Sequence, residues 1–128
     1  VVCVDTNVWV DFFRGVESAP TRALDEALKE QRVVMSSFIL AELFSSPRMT
    51  SKLEKSLLAL PLVEITEDFF IRAAKLRRKV YAKGLGVSMQ DAFIAQSCID
   101  AETVLVTRDL DFQTIARHSE LKILDFER

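Results

Sequence analysis

The sequence predicts an α/β fold in which helices cover both faces of a central parallel sheet. Three observations carry that prediction. Short apolar runs of the kind buried on both faces of a parallel sheet recur at residues 1–4, 33–35, 62–65, 103–106 and 122–124. Between them lie stretches with helical periodicity, and strands alternating with helices imply a parallel sheet between helix layers. No internal repeat, low-complexity segment or linker divides the 128 residues, a length that closes one core, so residues 1–128 are expected to form a single domain.

Each element has a local reason. The first strand stops at Asp5, where Asp5, Thr6 and Asn7 are suited to capping a helix over residues 8–13 that ends at Gly15. Pro20 fits the first turn of a second helix whose Leu24, Ala27 and Leu28 share a face. After the strand at 33–35, Ser36 or Ser37 caps a helix that ends before Pro47, and a further helix from about residue 50 stops at Pro61. A third strand is expected at 62–65. Thr66, Glu67 and Asp68 then open a long helix as a cap followed by first-turn acids. That helix buries Phe69, Ala73, Leu76 and Val80, carries Lys79 and Lys83 in its last turn and ends at Gly84. Ser88 to Asp91 has capping-box spacing and begins the next helix, through Ala92, Ile94, Ala95, Cys98 and Ile99. The strand at 103–106, a short helix or turn at 109–117 and a last strand at 122–124 complete the pattern.

Composition excludes several classes of function. Charged residues make up 28% and apolar residues 49%, unlike a disordered or membrane-spanning chain. The longest apolar runs, such as residues 38–41, are too short to cross a bilayer, and no leader of charged then apolar residues opens the sequence. A soluble, cytoplasmic protein without a membrane partner is expected. The sequence opens on Val1 rather than Met, so a residue or two of the natural chain are expected upstream. Cys3 and Cys98 read as small buried hydrophobes rather than a disulfide framework. A net charge of −2 gives no general basic footprint for nucleic acid, so any such chemistry must use local Arg and Lys and metal ions. His118 is the only histidine, which excludes a His-based zinc site and leaves little room for a His-dependent triad. It reads as a solvated residue near a helix end.

Four acids stand apart from ordinary surface charge. Asp5 and Asp109 each follow a buried strand, at the carboxyl edge where open α/β sheets bind ligands. Glu42 is the only polar residue between Phe38 and Phe44; it either projects into the same crevice or faces water in a narrow stripe with Ser45 and Ser46. Asp91 is suited to capping its helix and also to projecting from the positive end of the helix dipole. Turn chemistry accounts for one acid after the strand at 103–106, but less well for both Asp109 and Asp111 beside Thr107. Carboxylates without His or Cys company are hard oxygen ligands suited to Mg²⁺ or Mn²⁺, ions that promote phosphodiester hydrolysis.

The chain resembles PIN-domain proteins, and more narrowly the VapC-type toxin ribonucleases of prokaryotic toxin–antitoxin pairs. The resemblance rests on Asp5-Thr6-Asn7-Val8, Ala41-Glu42-Leu43, Asp91-Ala92-x-Ile94-Ala95 and Thr107-x-Asp109-x-Asp111-Phe112, in family order over nearly the whole chain. It implies a three-layer α/β/α sandwich and a Mg²⁺- or Mn²⁺-dependent endoribonuclease acting on RNA. It also implies a homodimer inhibited by a small antitoxin of the VapB kind. By the same resemblance Asp5, Asp91 and Asp109 are metal-site acids, and Glu42 binds metal or orients the attacking water. Thr6, Asn7, Thr107 and Asp111 form a supporting shell, Asp109 is preferred over Asp111 as the closer ligand, and Arg108 is a candidate for phosphate contact.

Two other functions share parts of this pattern. Aspartate-based phosphotransferases also end the first strand of an α/β sheet on Asp, but the haloacid dehalogenase kind has a second Asp where this chain has Asn7. They also use a late lysine, where the basic neighbour here is Arg108. A catalytically silent binding module is the other alternative, and retention of all four acids argues against it.

Overall fold

Val2, Cys3 and Val4 are all buried and form β1 (Val2–Val4), the strand on which the sheet is built. In the computed structural model, which describes residues 1–126, β1 pairs in parallel with β2 (Val33–Val34) and with β3 (Val104–Val106). β3 in turn pairs in parallel with β4 (Lys122–Ile123), giving the order β2-β1-β3-β4. Val2 stands opposite both Val33 and Val104, so β1 and β3 run out together at one edge. Runs of Val with no polar alternation suit strands covered on both faces. The covering layers are α1 (Thr6–Phe13), α2 (Ala19–Lys29), α3 (Ser37–Phe44), α4 (Ser51–Leu58), α5 (Phe69–Tyr81), α6 (Met89–Asp100) and α7 (Leu110–Arg117). The result is a three-layer α/β/α sandwich around a parallel sheet.

The helix ends follow the local chemistry. Ser18 and Thr21 form a capping box at α2, with Thr21 N–H donating to Ser18 Oγ at 3.3 Å and Ser18 N–H to Thr21 Oγ1 at 2.9 Å. Ser36 and Thr50 cap α3 and α4 through their hydroxyls. Gly15 and Gly84 take up φ of 76° and 79° beyond α1 and α5, a backbone region that costs other residues strain. Phe69, Ala73, Leu76 and Val80 all lie on the buried face of α5, as their spacing requires. Cys3 and Cys98 are free thiols buried in the core. His118 is the half-buried residue that ends α7.

Two expected features take a different form. Residues 62–65 do not make a strand: only Leu62 bridges Met35, where Met35 N–H donates to Pro61 O and Val63 N–H to Met35 O, each at 2.8 Å. Leu62 and Ile65 are 53% and 45% exposed, so no burial on a second face holds this segment to the sheet. Glu67 and Asp68 are not first-turn acids of α5 but precede it. Asp68 sits in the left-handed region with φ of 62° and makes no side-chain cap. The guanidinium of Arg72 fastens this entry instead, donating to Thr66 Oγ1 at 2.9 Å and Glu67 O at 3.3 Å while pairing with Asp100. Among the described residues no helix is long and apolar enough to cross a membrane.

Candidate metal and active site

The edge where β1 and β3 end is bound together by side chains. Asp5 N–H donates to Val106 O at 2.9 Å, extending the ladder one residue past β1. Asp5 then caps α1, its Oδ1 accepting Thr6 N–H at 2.8 Å. Its Oδ2 accepts the Thr107 hydroxyl at 2.7 Å, and the residue is only 6% exposed. Thr107 Oγ1 also accepts Asp109 N–H at 3.0 Å, and Asp109 Oδ1 caps α7 by accepting Asp111 N–H at 2.9 Å. One hydroxyl therefore links the start of α1 to the start of α7. Capping and clustering coexist in the same carboxylates.

The helices bring the remaining acids to this edge. Ser88 caps α6 by accepting Asp91 N–H at 3.0 Å, which sets the Asp91 carboxylate in the first turn. Single carboxylate oxygens of Asp91, Asp109 and Asp111 all lie within 4.8 Å of one another. Asp109 and Asp111 are thus both members of the cluster, and the geometry does not separate them as the sequence preference did. Glu42, on α3, is exposed, yet its Oε1 accepts the Thr6 hydroxyl at 2.9 Å. Ser45, also exposed, donates to the Glu42 backbone carbonyl at 2.6 Å, and Ser46 is half-buried. Asn7, in the first turn of α1, keeps a buried side-chain oxygen that has no hydrogen-bond partner among the described residues.

Crowding of like charge is visible in the acidities. Burial raises the pKa of Asp5 above its ordinary value of 3.8; the Thr107 and Thr6 donors oppose this, and the charges of Glu42 and Asp109 reinforce it. Asp91 is pushed up to about 6, first by burial and then by Asp109, Asp5 and Asp111, with the Ser88 hydrogen bond working against the shift. An edge that holds its acids at this cost is suited to a cation. The donors are all carboxylate oxygen, which matches hard divalent ions. Oxygens sharing one octahedral ion at about 2.1 Å stand about 3–4 Å apart, a spacing that the oxygens of Asp91, Asp109 and Asp111 accommodate.

Arg108 lies beside the cluster but is already engaged. Its Nε donates to Asp11 Oδ2 at 2.8 Å and its Nη2 to Asp11 Oδ1 at 3.4 Å. The side chain stays 56% exposed, so its other N–H groups are open to a ligand. Asp11 was not legible as part of this neighbourhood. It is an unremarkable acid in α1, and its partner lies 97 residues away.

A model of the PIN domain matches residues 2–118. VapC ribonuclease Mb1587 of Mycobacterium bovis and ribonuclease VapC11 of Mycobacterium tuberculosis are each 29% identical to this chain, over 98% of its length and 99% of theirs. Among solved structures, VapBC2 from Rickettsia felis, bound to a DNA fragment from their promoter, contains a chain similar at a TM-score of 0.73 and 21% identity, covering 98% of both. FitAcB from Neisseria gonorrhoeae gives a TM-score of 0.73 at 20% identity, covering 98% of this chain and 97% of that one. At such identities the structural likeness speaks for the fold.

Proposed function

The chain belongs to the PIN domain family, and we propose that it is a metal-dependent endoribonuclease hydrolysing RNA phosphodiester bonds, the toxin of a toxin–antitoxin pair. The observation that carries this reading is the gathering of Asp5, Glu42, Asp91, Asp109 and Asp111 at one sheet edge, with single oxygens of the last three within 4.8 Å of one another. The relatives named as VapC ribonucleases support it.

In this reading Asp91 and Asp109, joined by Asp111 and backed by Asp5, hold Mg²⁺ or Mn²⁺. Bound there, such an ion would supply Lewis-acid polarisation of the scissile phosphate. Thr107 fixes the Asp5 carboxylate through one oxygen and the Thr6 amide fixes the other, so Asp5 cannot swing away. Thr6 aims Glu42 at the same edge, where Glu42 orients the attacking water and accepts its proton. Arg108, steadied by Asp11, offers its remaining N–H groups to a phosphate. Single-stranded RNA cleavage is expected to need Mg²⁺ or Mn²⁺, and Asp5→Asn should lower it by about 10- to 100-fold without unfolding the protein. Cleavage undiminished in excess chelator would reject the metal site, and an active Asp5→Asn would remove Asp5 from it.

Protein partners fit two apolar surfaces. Phe70 and Ile71 on α5 are 54% and 57% exposed, and Phe70 meets Phe38, Phe69 and Phe93 edge-on, forming a patch suited to a second copy of the chain. A separate groove of about 470 Å³ is lined by Val10, Phe13, Leu43, Met49 and Leu53, with Arg14 and Arg48 beside them, and is suited to an amphipathic antitoxin segment. Light scattering of the protein with and without a VapB-like antitoxin tests both. Phe70→Asp should yield a monomer that still binds antitoxin, and Leu53→Asp a dimer that does not; a monomeric wild type at micromolar concentration would dismiss the homodimer.

A further inference from the structure

Residues 69–83 hold six of the 17 Lys and Arg and none of the 19 Asp and Glu, in a chain whose net charge is −2. The apolar face of α5 is turned to the core, which leaves its cations outward. Arg72 pairs with Asp100, whereas Lys75, Arg78, Lys79 and Lys83 are exposed and, among the described residues, have no carboxylate at ion-pair distance.

Arg77 is used differently. Its Nε donates to Val87 O at 2.6 Å, immediately before the Ser88 cap of α6, and so ties the last turns of α5 to the helix start that carries Asp91. Its Nη2 donates to the Tyr81 hydroxyl at 2.7 Å, and its guanidinium carbon lies 4.4 Å from the centre of the Tyr81 ring. The ring is thereby held in one orientation while it stays 48% exposed. Tyr81, Arg78 and Lys75 follow one another at three-residue spacing, as neighbours on the helix surface. The row starts where Arg77 ties α5 to the entry of α6, the helix that carries Asp91, and runs back along α5 for about 9 Å.

An oriented aromatic ring followed by unpaired cations is what a single strand of nucleic acid needs: a π-face for a base, and positive charge for the phosphates beside it. We propose that Tyr81, backed by Arg77, stacks a base of single-stranded RNA while Arg78 and Lys75 meet the adjoining phosphates, leading the strand to the acid cluster. This rests on the ribonuclease reading and adds to it the place where RNA outside the scissile bond is held.

The test is fluorescence anisotropy of a labelled single-stranded RNA of about 12 nucleotides, in chelator so that nothing is cut, over a salt series. Tyr81→Ala should weaken binding roughly tenfold, the loss expected for one stacked base. Tyr81→Phe, which loses the same Arg77 hydrogen bond but keeps the ring, should stay within about twofold because stacking needs only the π-face. Arg78→Ala and Lys75→Ala should each lower the slope of log affinity on log salt by about 0.7, a change that a merely structural role would not produce. Unchanged affinity and slope in these variants of a protein that binds and cleaves RNA would overturn the platform alone. Unchanged RNA affinity with lost affinity for an acidic peptide would overturn it too, assigning the row to a protein partner. A wild type that neither binds RNA in chelator nor cleaves it with Mg²⁺ would overturn the ribonuclease reading, and the platform with it.

Discussion

The acid cluster and the basic row of α5 are built in opposite ways. Asp5, Glu42, Asp91 and the Asp109–Asp111 pair come from four separate parts of the chain, whereas the cations of α5 fall within residues 69–83. Folding forces the acids together and buries Asp5 to 6% exposure, while Lys75, Arg78 and Lys79 stay in water. The assembled region carries a folding cost, which the raised pKa values of Asp5 and Asp91 express. Charge that is contiguous in sequence comes almost free; charge that the fold must collect is held against a gradient, and a ligand is what relaxes it.

Thr107, the hydroxyl between the two strand ends, is where a substitution should separate the two regions most. Thr107→Val removes the donor to buried Asp5 and the acceptor of Asp109 N–H. We expect a loss of about 1–3 kcal/mol in stability and a 10- to 100-fold fall in RNA cleavage. Urea unfolding and steady-state kinetics measure the two, and a variant equal to wild type in both would mean that the acids are placed by the backbone alone.

A smaller effect sharpens it. A carboxyl whose pKa is raised on folding binds more protons folded than unfolded between the two values. The stability of the metal-free protein should therefore fall as pH rises from about 4 to about 6 and be flat above, as far as Asp91 determines it. Asp91→Asn should flatten that slope and stabilise the protein at neutral pH by on the order of 1 kcal/mol, after allowance for the carboxylate's partial exposure. That corresponds to about 4 °C in Tm. Mg²⁺ should raise the Tm of the wild type by several degrees and that of Asp91→Asn far less. Arg78→Gln, the matched change in the basic row, should shift stability by less than about 0.5 kcal/mol at any pH. Melts in chelator and in Mg²⁺ across that pH range decide the matter: a destabilised Asp91→Asn and no response to Mg²⁺ would leave Asp91 as a helix cap.

The strands and helices were legible because their signals are local. Gly15, Ser36, Thr50 and Ser88 act at the positions where the chain itself needs a turn or a cap. The region between Pro61 and Phe69 was not, because Leu62 to Ile65 has strand composition and only tertiary burial decides whether it pairs. The candidate acids could be named from the sequence since they follow strands or interrupt apolar helices. Their mutual arrangement could not, as the Thr107 link and the Arg108 pairing with Asp11 span 102 and 97 residues. Asp5 caps α1 through one oxygen and takes the Thr107 hydroxyl on the other, beside rather than within the Asp91, Asp109 and Asp111 group.

The outer strands of the sheet, β2 and β4, are two residues long, and beyond β2 the chain closes its own edge with the single Met35–Leu62 bridge. An edge this short presents too few unpaired amides and carbonyls to template another chain's strand. The fold therefore resists edge-to-edge recruitment, and with it the runaway polymerisation to which parallel sheets with long bare margins are prone. Whatever docks on this molecule must read its side chains rather than a bare strand margin.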